Sequence, residues 1–253
     1  AWFLSDLHLK HMDERRSQWL LRFLSLLAEG KYSATHLYLV GDIFDLWVGN
    51  HDYYEDRFKP LIDLLLRLKA QGVHIIYFEG NHDVHVKRYW ESRYGIPCSV
   101  DERYDQIGPH LVRVEHGDLI NPNDYTYLKY RRFIRRPWME RLAHLLPARL
   151  IHWLGDRASR ESRKHSSVKR RDSESELRQM IRDYAEKVYA AAPFDLIITG
   201  HMHIRDDYRF ECDGKKVRSV NLGSWFDEPL VFHLTHESSR WISVLDLDPS
   251  IAR

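Results

Sequence analysis

The strongest constraint on this chain is a rhythm. Runs of apolar, β-branched or aromatic residues end repeatedly in a short polar cluster, and a helical pattern follows. Trp2 to Ser5 runs into Asp6-Leu7-His8, His36 to Val40 into Gly41-Asp42, and Val73 to Phe78 into Gly80-Asn81-His82-Asp83. His110 to Val114 runs into His116-Gly117-Asp118, and Asp195 to Thr199 into Gly200-His201-Met202-His203. Leu20, Leu21, Phe23, Leu24 and Leu27 recur at helical spacing over residues 15 to 28 and stop at Gly30, and Leu61, Leu64, Leu65 and Leu68 do so from Phe58 to Ala70. The whole reads as βαβ repetition and predicts an α/β fold. Towards the C-terminus, Tyr208 to Cys212, Val217 to Val220, Pro229 to Leu234 and Trp241 to Leu247 alternate as antiparallel strands do, with Asp213-Gly214 as a turn.

In open α/β sheets the ligand site lies beyond the carboxyl ends of the strands, and all five clusters fall at such ends. They start at Asp6, Gly41, Gly80, His116 and Gly200, with gaps of 35, 39, 36 and 84 residues. The first three gaps each fit one βα repeat; the fourth carries roughly 50 residues too many. The expected organisation is therefore a core of residues 1–120 and 195–253 with an inserted cap at 121–194. From Lys129 to Arg171 the insertion holds fourteen Lys or Arg against Glu140, Asp156 and Glu161, so that the rest of a chain of net charge +1 is acidic. Phe133, Ile134, Trp138, Met139, Leu142, Leu145, Leu146, Leu150, Ile151, Trp153 and Leu154 lie among these charges, and Pro137 and Pro147 cut the segment into short helices. A basic, aromatic, amphipathic segment suits a surface that lies on anionic lipid or holds a polyanion; the alternative is a helical subdomain with a solvated rim.

With 253 residues, 43% hydrophobic and 30% charged, the chain has material for a sizeable core, which excludes a disordered tail, a collagen or a mini-protein. Cys98 and Cys212 are too few for a disulfide framework or a CxxC zinc cluster and favour a reducing compartment. No window approaches the ~18 uninterrupted apolar residues of a membrane-spanning helix. Ala1-Trp2-Phe3-Leu4 is already strand-like, so residues upstream are expected.

The clusters together supply Asp6, His8, Asp42, Asn81, His116, His201 and His203. One divalent ion cannot use seven donors. Two can, if a carboxylate bridges them and each keeps a position for water, the arrangement that serves in-line displacement at phosphorus. Imidazole mixed with carboxylate suits Mn, Fe or Zn, whereas Mg and Ca prefer oxygen throughout. Gly49-Asn50-His51-Asp52 repeats the letters of the third cluster too soon after Asp42 to end a new strand and is expected to be a loop near the mouth of the site. His11, His74, His85, His233 and His236 lack ligand spacing and are expected to be structural.

Asp-x-His, Gly-Asp-x-x-Asp, Gly-Asn-His-Asp, His-Gly-Asp and Gly-His-x-His in this order resemble the calcineurin-like metallophosphoesterase superfamily over residues 1 to about 225. The resemblance implies a four-layer αββα sandwich with a helical cap. It places Asp6, His8, Asp42 and His203 on one ion and Asn81, His116 and His201 on the other, with Asp42 bridging. It further implies that a bridging hydroxide attacks phosphorus and that His82, oriented by Asp45, assists the leaving group. Gly41 to Gly49, the His116 loop running on to Asp124 and Tyr127, Arg136-Pro137-Trp138 and Leu222-Gly223-Ser224-Trp225 are similar to the UDP-2,3-diacylglucosamine pyrophosphatases of lipid A synthesis. That likeness implies a lipid-linked nucleotide substrate cleaved to UMP and 2,3-diacylglucosamine 1-phosphate. It also implies two divalent ions, with Mn expected and Fe or Zn as alternatives, and a peripheral place on the anionic inner face of a bacterial inner membrane. Substrate contacts are expected from Asn81, His82, Asp124, Tyr127, Arg160, Arg163, Lys169 and His201, with Ser159, Ser162 and Ser166 as further candidates in the cap.

Two departures matter. His82 stands where the better-known pyrophosphatases carry Arg, and Leu46-Trp47 stands where the superfamily's protein phosphatases carry Arg-Gly, which argues against a phosphoprotein substrate. A nuclease or nucleotide hydrolase whose cap grips nucleic acid is the competing enzyme. The mainly aliphatic apolar residues of the cap favour acyl chains over bases. A scaffold that has lost its metals is the competing non-enzyme, although every ligand position is filled.

Overall fold

The computed structural model describes residues 1–248 other than 50, 148, 152, 154–173 and 227. Along the chain come β1 (Trp2–Leu4), α1 (Arg15–Ala28), β2 (His36–Val40), β3 (Trp47–Val48), α2 (Asp52–Ala70), β4 (His74–Phe78) and β5 (Asp83–Val84). A π-helical turn (Tyr89–Arg93), β6 (Cys98–Ser99), β7 (Arg103–Ile107), β8 (His110–Val114), α3 (Tyr125–Ile134), α4 (Pro137–Leu145) and α5 (Glu174–Ala191) follow. The chain closes with β9 (Leu196–Thr199), β10 (Arg205–Cys212), β11 (Lys215–Leu222), β12 (Leu230–Leu234), β13 (Ser239–Ser243) and a helical turn, α6 (Val244–Leu247).

Two sheets result, in the orders β13-β12-β1-β2-β4-β6 and β10-β11-β9-β8-β7. In the first, β1, β2, β4 and β6 are parallel; in the second, β8, β9 and β11 are. Strand period decides which face each side chain serves. Trp2, Leu4, Leu37, Leu39, Ile75 and Tyr77 pack with Leu20, Phe23, Leu24, Leu61 and Leu65 of α1 and α2. Their neighbours Phe3, Tyr38, Val40, Ile76 and Phe78 pack between the sheets against Val112, Val114, Leu196, Ile198, Val220 and Leu222. On the far face of the second sheet, Ile197 and Val217 meet Ala185 and Tyr189 of α5. The layers are therefore helix, sheet, sheet, helix, and strands buried on both faces explain the near-continuous apolar runs.

Strand β10 starts at Arg205 and β11 runs from Lys215 to Leu222, both longer than expected, and three further elements differ from expectation. Helix α2 begins at Asp52, not Phe58, because Phe58 is a kink (φ −112°, ψ 19°) just before Pro60, whose missing N–H interrupts the helical ladder. The last predicted strand stops at Ser243: Val244 N–H still reaches the carbonyl of Pro229, but Pro229 has no N–H to return, and the chain turns into α6. Helix α5, which falls inside the span read as insertion, seals the second sheet, so this part of the span packs with the core. A helical pattern alone does not reveal which surface it will cover.

Candidate metal centre

Three of the polar clusters, the first, second and fifth, leave their strands through strained backbone. Asp6, His8, Asp42, His201 and His203 all adopt positive φ, between 50° and 67°. Side-chain-bearing residues rarely accept that conformation, and they concentrate where geometry is set by function. Close approach explains the glycines: a Cβ on Gly80 would sit 2.1 Å from Asp42 Oδ1, and one on Gly200 would sit 2.5 Å from Asp6 Oδ2. The two loops thus need glycine to approach the carboxylates.

Since β1, β2 and β4 lie in one sheet and β8 and β9 in the other, their carboxyl ends converge on one point. Donor atoms of Asp6, His8, Asp42 and His203 lie within 4.8 Å of one another, and so do those of Asp42, His116 and His201. Asp42 belongs to both groups. His203 Nε2 lies 3.2 Å from Asp6 Oδ1, His8 Nε2 is 3.9 Å from Asp42 Oδ2, and His116 Nε2 is 3.5 Å from the same oxygen. Asn81 Oδ1 stands 2.9 Å from His201 Nδ1 and 3.3 Å from His116 Nε2, which adds the amide to the second group.

The donors fit divalent ions. Asp6 Oδ1 and Asp42 Oδ2 are buried and accept no hydrogen bond, although leaving a buried charged acceptor unpaired is costly. Their other oxygens are fixed: Asp6 Oδ2 accepts from Ser5 Oγ and His201 N–H, and Asp42 Oδ1 from His82 N–H. Each carboxylate therefore turns one free oxygen towards a ring of imidazoles. Burial drives His8 down to about 3, and burial with the neighbouring His116 charge drives His201 to about 4, so both rings are neutral and offer lone pairs. His116 and His203 are the exceptions: the pull of Asp42 outweighs burial and raises His116 to about 10, and Asp6 outweighs burial and raises His203. A metal cation held by His116 and Asp42 would take the place of the His116 proton. His116 Nδ1 donates to the carbonyl of Val40 at 3.0 Å, which fixes the tautomer and presents Nε2 to the site.

Behind the donors, Asp83 knits the second and third clusters together. Its carboxylate accepts from the N–H groups of Asp42, Ile43 and Gly80 and from Tyr77 Oη. The short parallel pair of β3 and β5 joins the same loops through Trp47 opposite Asp83. Sequence reading assigned no role to Asp83, to Asn221, which donates to the Gly200 carbonyl at 2.8 Å, or to Phe226, whose ring stacks on His8 at 5.4 Å. Asp83 sat in plain view inside a motif; Phe226 carried no signal.

The family profile of calcineurin-like phosphoesterases matches residues 1–205. The chain belongs to that family. It is similar to the UDP-2,3-diacylglucosamine hydrolase of Photorhabdus laumondii subsp. laumondii, 29% identical over 244 residues that cover 95% of this chain and 97% of that protein. The protein of the same name from Vibrio cholerae serotype O1 is 30% identical over 234 residues, covering 89% and 90%. That from Coxiella burnetii is 25% identical over 246 residues, covering 97% and 98%.

Around the centre of this calcineurin-like phosphoesterase stand the other predicted residues. His82 is half-buried beside His8, and its Nδ1 meets the carbonyl oxygen of Asp45 at 2.8 Å. The main chain of Asp45 makes this bond, because the bend entering β3 turns its carbonyl towards the third cluster, where Trp47 N–H also meets the His82 carbonyl. A carbonyl only accepts, so Nδ1 carries hydrogen and Nε2 is the variable position. The carboxylate of Asp45 has a ligand oxygen within 4.8 Å of the His8 and His82 nitrogens and lies 3.9 Å from Lys10 Nζ. Asp124 caps α3 by accepting from Tyr127 N–H, and Tyr127 Oη donates to Asp118 at 2.8 Å while its ring lies against His201. Ser159, Arg160, Ser162, Arg163, Ser166 and Lys169 lie outside the described residues. His51 of the repeated Gly-Asn-His-Asp letters bonds the Ala143 carbonyl of α4 at 2.7 Å, and His85 bonds the Ile134 carbonyl of α3 at 2.8 Å. Both therefore tie cap helices to the core. No described helix is long and apolar enough to cross a membrane.

Proposed function

We propose that this chain is a dinuclear metal-dependent hydrolase that cleaves the pyrophosphate of UDP-2,3-diacylglucosamine to UMP and 2,3-diacylglucosamine 1-phosphate. The observation that carries the reading is Asp42, a buried carboxylate shared by two donor groups with one oxygen free of hydrogen bonds. Asp6, His8, Asp42 and His203 hold one ion, and Asp42, Asn81, His116 and His201 the other. Ions held there supply an acidified water and draw negative charge off phosphoryl oxygens. Imidazole, amide and carboxylate donors together favour Mn, with Fe or Zn as alternatives.

The chain's own residues do the rest. The strained Asp6, His8 and Asp42 backbones and their fixed second oxygens hold the donors before substrate arrives, so little reorganisation remains for the reaction. His82, with Nδ1–H committed to the Asp45 carbonyl, keeps Nε2 to hand a proton to the departing phosphate oxygen as the P–O bond breaks.

The division of labour that best accommodates α5 is a core of residues 1–120 and 174–253 with a cap of 121–173. In that cap Trp138 is 47% and Leu145 is 81% exposed, and Tyr130, Phe133 and Leu142 are exposed beside them. An apolar surface set among the exposed Arg132, Arg136 and Arg141 suits acyl chains with phosphate, and a peripheral place on an anionic bacterial inner membrane. The three relatives' shared name supports the same substrate. Incubating the manganese-loaded protein with UDP-2,3-diacylglucosamine in mixed micelles is expected to release UMP. Activity on a generic phosphodiester with no UMP release would keep the metal chemistry and exclude this substrate.

A further inference from the structure

Helix α3 reaches the loops that carry three donors of the second ion, Asn81, His116 and His201. Arg135 donates to Glu79 Oε2 at 2.9 Å and to the Gly80 carbonyl at 3.2 Å, next to Asn81. Arg131 Nε and Tyr127 Oη donate to Asp118 Oδ2 at 2.6 and 2.8 Å, two residues after His116. The Tyr127 ring lies 5.4 Å from that of His201. Glu79 and Asp118 are both buried, and Glu79 Oε1 also accepts from the N–H groups of Val86 and Lys87, so the loop after the third cluster hangs on the same carboxylate.

How α3 is held matters as much as what it touches. None of its residues is fully buried, in contrast to Ile181, Ala185 and Tyr189 of α5. Polar anchors fix it: Arg131, Arg135, Tyr127 and the bond from His85 to the Ile134 carbonyl. A helix held in this way takes its position from the loops that it grips, and the loops take theirs from the helix.

We propose that α3 is the positioning element of the second ion, with Arg131 and Arg135 as positioning residues, so that placement of the cap and occupancy of that ion are thermodynamically coupled. The inference rests on the two-ion reading of the centre. Coupling of this kind is reciprocal: whatever settles the cap tightens the second ion, and the second ion settles the cap. A planar guanidinium that bonds a buried carboxylate and a neighbouring carbonyl at once, as that of Arg135 does, transmits position better than a single point charge does.

Manganese titration followed by electron paramagnetic resonance tests this on the wild-type protein, Arg131→Met and Arg135→Met, with thermal unfolding of the metal-free proteins as the check on folding. Each variant is expected to bind the first ion as the wild type does and the second about 10- to 100-fold more weakly, the loss usual for partners behind metal ligands, with the spin-coupled signal appearing at correspondingly higher manganese. Wild-type affinity for both ions in both variants would overturn the proposal. If a variant fails to fold, hydrogen exchange in the wild-type protein decides: exchange over residues 125–134 is expected to slow at the second equivalent of manganese, and unchanged exchange at either equivalent overturns the coupling. A wild-type protein that takes up a single ion fails earlier and separately, at the two-ion reading itself.

Discussion

Asp42 shows how much one residue has to satisfy. Its φ is positive, its N–H is held by Asp83, one oxygen is held by His82 N–H and the other faces imidazoles without a donor. His82 is the complementary case, a ring placed by its neighbour's main chain so that one nitrogen stays available. His82→Ala is expected to lower turnover about 10²- to 10⁴-fold with metal content unchanged, and least for substrates with good leaving groups, as a proton donor requires. A series of aryl phosphodiesters of graded leaving-group acidity measures this; one uniform loss across the series would assign His82 to binding. That these seven residues gather at one place was legible in the sequence, because their chemistry resides in the side-chain letter and their place follows from the strand before them. The Asp45 carbonyl was not legible, since every residue has a carbonyl and only the local bend aims this one. Phe226, more than half exposed against His8, belongs to the same class.

At the scale of elements, the loops bearing the donors are braced by a buried aromatic cluster. Trp47 of β3 packs against Phe44, Tyr54, Phe58, Tyr89 and Trp90, and its Nε1 donates to the Gly49 carbonyl. Trp47→Ala removes the hub and leaves a cavity, and is expected to cost about 3–5 kcal/mol of stability by chemical denaturation. A loss under about 1 kcal/mol would mean that the cluster collapses onto the gap. Helix α1 and strands β2 and β8 follow the bounds that their apolar periodicity indicates, because nothing tertiary competes with it. Two-residue strands such as β3 and β5 carry no periodicity to read. Proline decided the two displaced ends: Pro60 kinks α2, and Pro229 cannot continue the ladder beyond Ser243.

For the whole molecule, two sheets stacked with their parallel strands ending together form the device that gathers residues from 6 to 203 into one centre. Basic residues concentrate in the cap span and leave the remainder acidic, and the described Arg132, Arg136 and Arg141 are exposed beside the apolar surface, where the polyanionic substrate proposed here would meet countercharge. Under the proposed function the core would hold the ions and the cap would select what reaches them. Both depend on the claim that two ions share Asp42. The most direct measurement is metal content and turnover of the wild-type protein beside Asp42→Ala, both loaded with manganese and freed of excess. Two manganese ions per wild-type chain are expected, and in Asp42→Ala the loss of bound metal together with turnover. Two ions retained at near wild-type activity in Asp42→Ala would contradict that claim.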